Sequence, residues 1–116
     1  MPKPPPTAKT LPAEMLQDTA SMFGLLSASV RLHILWLLAD GEQDVTSLAA
    51  ACGQSVATVS HHLGKLKLAG LVDVRRHGRR HVYVATEPHV IEVVVLAINT
   101  RLAQKKPRTR RRAFGS

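Results

Sequence analysis

Cysteine is almost missing from this 116-residue chain: Cys52 stands alone, so no intrachain disulfide can form. It follows Leu48, Ala49, Ala50 and Ala51, which favours a small buried hydrophobe, with a metal ligand or redox thiol as the alternative. No CxC or CxxC pattern supports that alternative. No apolar run reaches the roughly eighteen residues of a membrane-spanning helix. The opening Met1-Pro2-Lys3-Pro4-Pro5-Pro6 lacks the apolar stretch of a signal peptide, so the expected location is the cytoplasm. No nucleophile–base pair, phosphate loop or carboxylate pair occurs at useful spacing, and no enzyme is expected.

Acids are missing from both ends, and the net charge of +8 is unevenly spread. Residues 1–10 hold Lys3 and Lys9, and residues 105–116 hold Lys105, Lys106, Arg108, Arg110, Arg111 and Arg112. Between these ends, residues 55–85 carry Lys65, Lys67, Arg75, Arg76, Arg79 and Arg80 against Asp73 alone. Residues 11–54 carry Arg31 against Glu14, Asp18, Asp40, Glu42 and Asp44. A compact basic segment facing an acidic remainder makes a directed field whose natural partner is a polyanion.

Residues 1–10 are rich in proline and polar groups and are expected to be disordered, as is the basic tail 105–116. One domain is expected over 11–104. Leu11-Pro12 opens a first helix, with Leu16, Thr19, Phe23 and Leu26 near helical spacing. Ser27–Ser29 supply hydroxyls to cap a second helix bearing Val30, Ile34, Leu35, Leu37 and Leu38, which Asp40-Gly41 stops. A third helix, from about Val45 to Ala51, ends at Cys52-Gly53. Asp44 reads as its cap. Ser55 caps a fourth, about 56–69, closed by Gly70. Two alternating strands, 71–74 and 81–84, flank the turn Arg75-Arg76-His77-Gly78-Arg79-Arg80.

The segment after Pro88 pulls two ways. Val90, Ile91, Val93, Val94 and Val95 are β-branched and suit a strand, yet the apolar stretch to Ala103 is long and Pro88 starts helices well. A helix is the preferred reading. Its apolar residues exceed one face, so the surplus calls for a second chain. The expected fold is mostly α with a β-hairpin, in the order α-α-α-α-β-β-α.

On a helical wheel for 56–69, Val59, Leu63, Leu66 and Val56 form the buried stripe. Ala57, Thr58, His61, His62 and Lys65 lie opposite, without an acid or a large aliphatic residue among them. Hydrogen-bonding groups and a cation on one face suit the reading of base edges in the major groove. A short helix, a tight turn at Gly53-Gln54 and a capped second helix match helix-turn-helix geometry, and the arginine hairpin is then a wing along the backbone or minor groove. The residues assigned to DNA are Ser55, Thr58, Ser60, His61, His62, Lys65, Arg75, Arg76, Arg79 and Arg80. Taken alone, a basic hairpin is as readily a solvated turn.

Over roughly residues 20–100 the sequence resembles the ArsR/SmtB family of bacterial winged-helix repressors. The resemblance is carried by residues 26–35 (LSASVRLHIL), by residues 45–49 (VTSLA) and by residues 55–63 (SVATVSHHL). Residues 66–72 (LKLAGLV) and the wing at 78–83 (GRRHVY) complete it. It implies a homodimer joined through the first and last helices, bound to a palindromic operator in double-stranded DNA, and in many members released by metal. One family metal site uses a cysteine pair at the start of the third helix, where this chain has Asp44. The other uses an acid-x-His pair, matched by Glu87 and His89, with two further ligands from the other subunit. Those positions are Thr100 and Ala103. The resemblance thus leaves half a site for nickel, cobalt or zinc, against a plain reading of Glu87 and His89 as a helix start. Response through a co-regulator protein is the other expectation. The remaining histidines, His33, His77 and His81, read as packed or DNA-facing residues rather than ligands. The basic tail is expected to add non-specific affinity near the bacterial nucleoid. A non-specific architectural DNA-binding protein is the alternative, and it predicts equal affinity for random and operator DNA.

Overall fold

Ile34, Leu35 and Leu38 come from one short apolar helix, and all three are buried at the centre of the structure. The computed structural model describes residues 10–105. Its elements are α1 (Ala13–Leu26), α2 (Ser29–Leu38), β1 (Gln43–Asp44), α3 (Val45–Cys52), α4 (Val56–Leu68), β2 (Val72–His77), β3 (Arg80–Ala85) and α5 (Pro88–Lys105). The expected disorder of the proline-rich start and of the basic tail, and the tail's added affinity, concern residues 1–9 and 106–116, which lie outside the described residues.

The core joins Leu26, the α2 trio, Leu48 and Ala49 of α3, Val59, Leu63 and Leu66 of α4, Leu71, Val72 and Val94. Helices α2, α3 and α4 pack on one another, α5 lies on α2, and the sheet closes against α4 through β2. The β-branched run after Pro88 is helical. It starts where the Glu87 carbonyl accepts from the Val90 and Ile91 N–H groups at 3.0 and 3.1 Å. Among the described residues no single helix is long and apolar enough to cross a membrane.

Several local expectations need correction. A third strand, β1, was not anticipated: the sheet order is β1-β3-β2, antiparallel throughout, with Gln43 opposite Tyr83 and Asp44 opposite Val82. The two wing strands run further than the hydrophobic alternation indicated, because backbone pairing continues through the polar arginines up to His77 opposite Arg80. Only Gly78 and Arg79 form the turn, and Gly78 has the positive φ of 66° that tight hairpin turns require at this position. Ser27 does not cap α2; its hydroxyl donates to the Gly24 carbonyl at 2.6 Å and closes α1 instead, and Ala28 is the N-cap of α2. Val56 is 46% exposed rather than part of the buried stripe, since the first turn of α4 projects past the core. Lys105, placed in the tail by sequence, is the last residue of α5.

Asp44 ties the new strand to two elements. Its Oδ1 accepts from the Ser47 backbone N–H at 2.8 Å and caps α3, as the sequence indicated. Its Oδ2 accepts from Arg80 Nη2 of β3 at 3.0 Å. The Ser47 N–H, then its hydroxyl, then the Arg80 guanidinium hold this carboxyl below the usual aspartate range. A depressed pKa means stability that is present above about pH 4 and lost as pH falls through the lowered value.

Two outcomes follow for stability. Leu48→Ala empties a fully buried site where α3 meets the core and is expected to cost about 2–5 kcal/mol in denaturant unfolding. Asp44→Ala is expected to lower the melting temperature at pH 7, with the gap to the parent chain closing below about pH 4. Asp44→Asn, which keeps the cap acceptor, recovers part of that gap. A gap independent of pH would show that the carboxylate charge contributes nothing.

Candidate nucleic-acid interface

The α3–α4 pair is built by its turn. Gly53 follows α3 in the left-handed region at φ 66°, a conformation costly for a residue with a Cβ, and its N–H and that of Gln54 both return to the end of α3. The chain reverses within two residues and enters α4 at Ser55. There the Ser55 Oγ accepts from the Thr58 N–H at 3.0 Å and donates to Thr58 Oγ1 at 3.0 Å. Thr58 is thereby held against the helix start, half-buried, with part of its hydroxyl capacity already used.

With Val59, Leu63 and Leu66 pinned inward, Ser60, His61 and Lys65 are exposed on the other side of α4. No acid occurs on this helix. Lys65 and Lys67 also lie in its last turn, where a cation complements the helix dipole. His62 departs from the expected open position. It is half-buried beside α2, and its Nδ1 lies 3.1 Å from Arg31 Nη1. Burial, followed by the charges of Arg31, His61 and Lys65, pushes its pKa below the usual imidazole range, so the ring is neutral at pH 7. The His61 and His62 rings meet edge to face with centroids 5.4 Å apart.

The wing separates its cations by strand alternation. Arg75 and His77 share one face of β2 and Arg76 takes the other, while Arg79 sits in the turn and Arg80 on β3. Arg80, assigned to DNA from sequence, pairs with Asp44 through Nη2 at 3.0 Å while its side chain stays 63% exposed, and His77 lies 3.4 Å from Glu42. Arg75, Arg76 and Arg79 are exposed and form no ion pair among the described residues. Glu42 and Asp44, at β1, thus reach the two residues that flank the turn of the wing, His77 and Arg80. Sequence reasoning missed Arg31 and the Asp44–Arg80 contact. A lone arginine within the apolar run of α2 was the available signal for the first; the second joins residues 36 apart and left none.

Glu87 and His89 are exposed at the start of α5. The Thr100 hydroxyl is committed to the Leu96 carbonyl at 2.8 Å, and Ala103 offers no donor atom. Two protein ligands fall short of the three or four that nickel, cobalt or zinc takes from a protein site. Among the described residues no three His, Cys, Asp or Glu side chains are grouped to hold a metal ion. This donor set does not fit the family's metal. Cys52 is half-buried, and burial pushes its thiol pKa up, away from the reactive thiolate.

Comparison with known proteins agrees with this architecture. The family model described as bacterial regulatory protein, arsR family, matches residues 28–74, from the end of the α1–α2 turn into β2. The chain is 36% identical over 88 residues to the HTH-type transcriptional regulator KmtR of Mycobacterium tuberculosis, covering 76% of this chain and 68% of that protein. It is 38% identical over 88 residues to the HTH-type transcriptional regulator NmtR of the same organism, covering 76% and 73%. Among solved structures, the homodimeric winged helix-turn-helix DNA-binding domain of Mb0332 from Mycobacterium bovis, a possible ArsR-family regulator, superposes with a TM-score of 0.68. It is 33% identical and is covered to 92%, against 84% of this chain. The chain belongs to the ArsR/SmtB family of DNA-binding transcriptional regulators, which are not enzymes.

Proposed function

We propose that two copies of this chain bind one palindromic operator and repress the promoter that contains it. The observation that carries the reading is the acid-free outer face of α4, with Ser60, His61 and Lys65 exposed beside the free arginines 75, 76 and 79 of the wing. Base edges are read by α4 in the major groove, while the arginines follow the phosphates or enter the minor groove. Ser55 and Thr58 hold the start of α4, and His62 contributes from its flank. Arg80 acts by fixing the wing. The site of action is the nucleoid in the bacterial cytoplasm.

Dimerisation rests on apolar surface that one copy leaves open. Met15, Leu16 and Phe23 of α1 are 52%, 53% and 52% exposed, and Leu96 and Leu102 of α5 are 67% and 53% exposed. Only Val94 is buried among the eighteen residues of α5. Solvent-facing hydrophobics on both terminal helices are a typical protein contact surface. A two-fold dimer places two copies of α4 about 34–36 Å apart, one turn of DNA, which is why the operator is palindromic. Regulation does not run through Glu87 and His89, whose partner positions lack donors; a co-regulator protein or another effector supplies the signal.

Selection of bound fragments from random DNA is expected to return a palindrome, favoured over unrelated sequence by roughly 10³-fold. Replacing Thr58, His61 and Lys65 together by alanine is expected to erase most of that preference while weaker, salt-sensitive binding persists. Equal affinity of the parent chain for random DNA would instead identify an architectural protein. Titration with nickel, cobalt or zinc is expected to change operator affinity by less than about twofold, because two ligands hold such ions weakly. A tenfold release by any of them would restore Glu87 and His89 as sensors.

A further inference from the structure

Arg31 is the one cation in the first half of the described chain, and it is half-buried rather than solvated. Its guanidinium joins three helices. Nε donates to the Leu25 carbonyl in the last turn of α1 at 2.7 Å, and Nη1 points at His62 Nδ1 of α4 at 3.1 Å. A guanidinium donates only and keeps its proton in proteins. Nδ1 must therefore be the acceptor in this contact, which leaves the single ring proton on Nε2.

We infer that Arg31 is a positioning residue for DNA reading, locking His62 as the neutral Nε2–H tautomer so that α4 offers one fixed N–H donor toward DNA. The inference rests on the reading of α4 as the DNA-contacting helix. The charged and titratable groups acting on the ring are Arg31 from α2 and His61 and Lys65 from α4, with no acid among them. Burial and these neighbours all disfavour a second proton, so the lock holds at neutral pH. A fixed donor has chemical consequences. Phosphate oxygens, the N7 of either purine, guanine O6 and thymine O4 accept such a bond, whereas the amino groups of adenine and cytosine do not. The opposite tautomer would present a bare lone pair and reverse that preference. Because the same guanidinium holds the Leu25 carbonyl, the end of α1 and the orientation of the His62 ring are fixed by one group.

The test has two arms, both on the full chain. Long-range proton–nitrogen NMR of the uniformly labelled protein without DNA, at pH 7.5, reads the ring directly. The expected spectrum has His62 protonated on Nε2 and bare on Nδ1, and Arg31→Met, which removes the donor, is expected to give a mixture of tautomers. In the second arm, His62→Gln puts an amide nitrogen near the place of Nε2, and His62→Asn puts it near Nδ1. Operator affinity, by fluorescence anisotropy, is expected to be about tenfold tighter for the Gln variant than for the Asn variant, the worth of one hydrogen bond. A proton on Nδ1 in the parent chain, an unchanged tautomer in Arg31→Met, or equal binding by the two His62 variants would each overturn the inference. Failure of the broader DNA reading is distinguishable: alanine at Thr58, His61 and Lys65 would then leave binding intact, while the tautomer seen without DNA would stand.

Discussion

The burial of Val59, Leu63 and Leu66 fixes the direction of every functional side chain on α4. All three are essentially inaccessible, clasped by α2, α3 and β2. Turning the helix about its axis would drag at least one of them into water, at roughly 1.5–3 kcal/mol for each aliphatic side chain. Ser60, His61 and Lys65 point outward because they have no freedom to point elsewhere. The caps add axial precision: Ser55 holds the first turn, and the α3–α4 reversal at Gly53 leaves no slack between the helices. Recognition, as proposed, is thus a consequence of packing. The hydrophobic stripe is what makes a few polar groups into a rigid pattern.

That dependence explains what the sequence disclosed. Helices α1 to α5 were readable because each combines helical apolar spacing with a punctuating residue: Asp44 and Ser55 as caps, Gly53 and Gly70 as stops, Pro88 as a start. The face of α4 followed by simple rotation. What escaped is of a different kind. Strand β1 is two residues long, below any detectable period, and exists only because β3 passes beside it. The wing strands extend into arginines because backbone pairing is indifferent to side-chain polarity, so hydrophobic alternation ended before the ladder did. His62 and Arg31 meet across 31 residues, and Arg80 and Asp44 across 36. Such pairs depend on tertiary placement, which periodicity does not encode. The sequence therefore revealed which face of α4 is outward more fully than it revealed which side chains on it are free.

The charge map changes meaning once these contacts are known. From sequence, the acids of residues 11–54 form a counter-field to a basic half. In the structure Glu42 and Asp44 reach His77 and Arg80, the two residues that flank the turn of the wing. Both pairs are substantially exposed, so each is individually weak. Their effect is geometric. Asp44 couples the start of α3 to β3, hence the helix-turn-helix to the wing, through a single carboxylate.

The same logic bears on the terminal helices. A run such as Val93-Val94-Val95 has little intrinsic reason to be helical, since β-branched side chains lose rotamer freedom there. Helix α5 persists through what it packs against, yet within one copy that is chiefly the α2 side, where Val94 is buried and Val90, Ile91 and Ile98 are half-buried. Leu96 and Leu102 gain nothing from that contact. In the proposed dimer they acquire a partner, and burial on the second face offsets a poor helical composition. Dimerisation and the integrity of α5 then become one equilibrium. Helix α2 carries both the surface under α5 and Arg31 beside His62, so in the proposed dimer one helix lies between the subunit contact and α4.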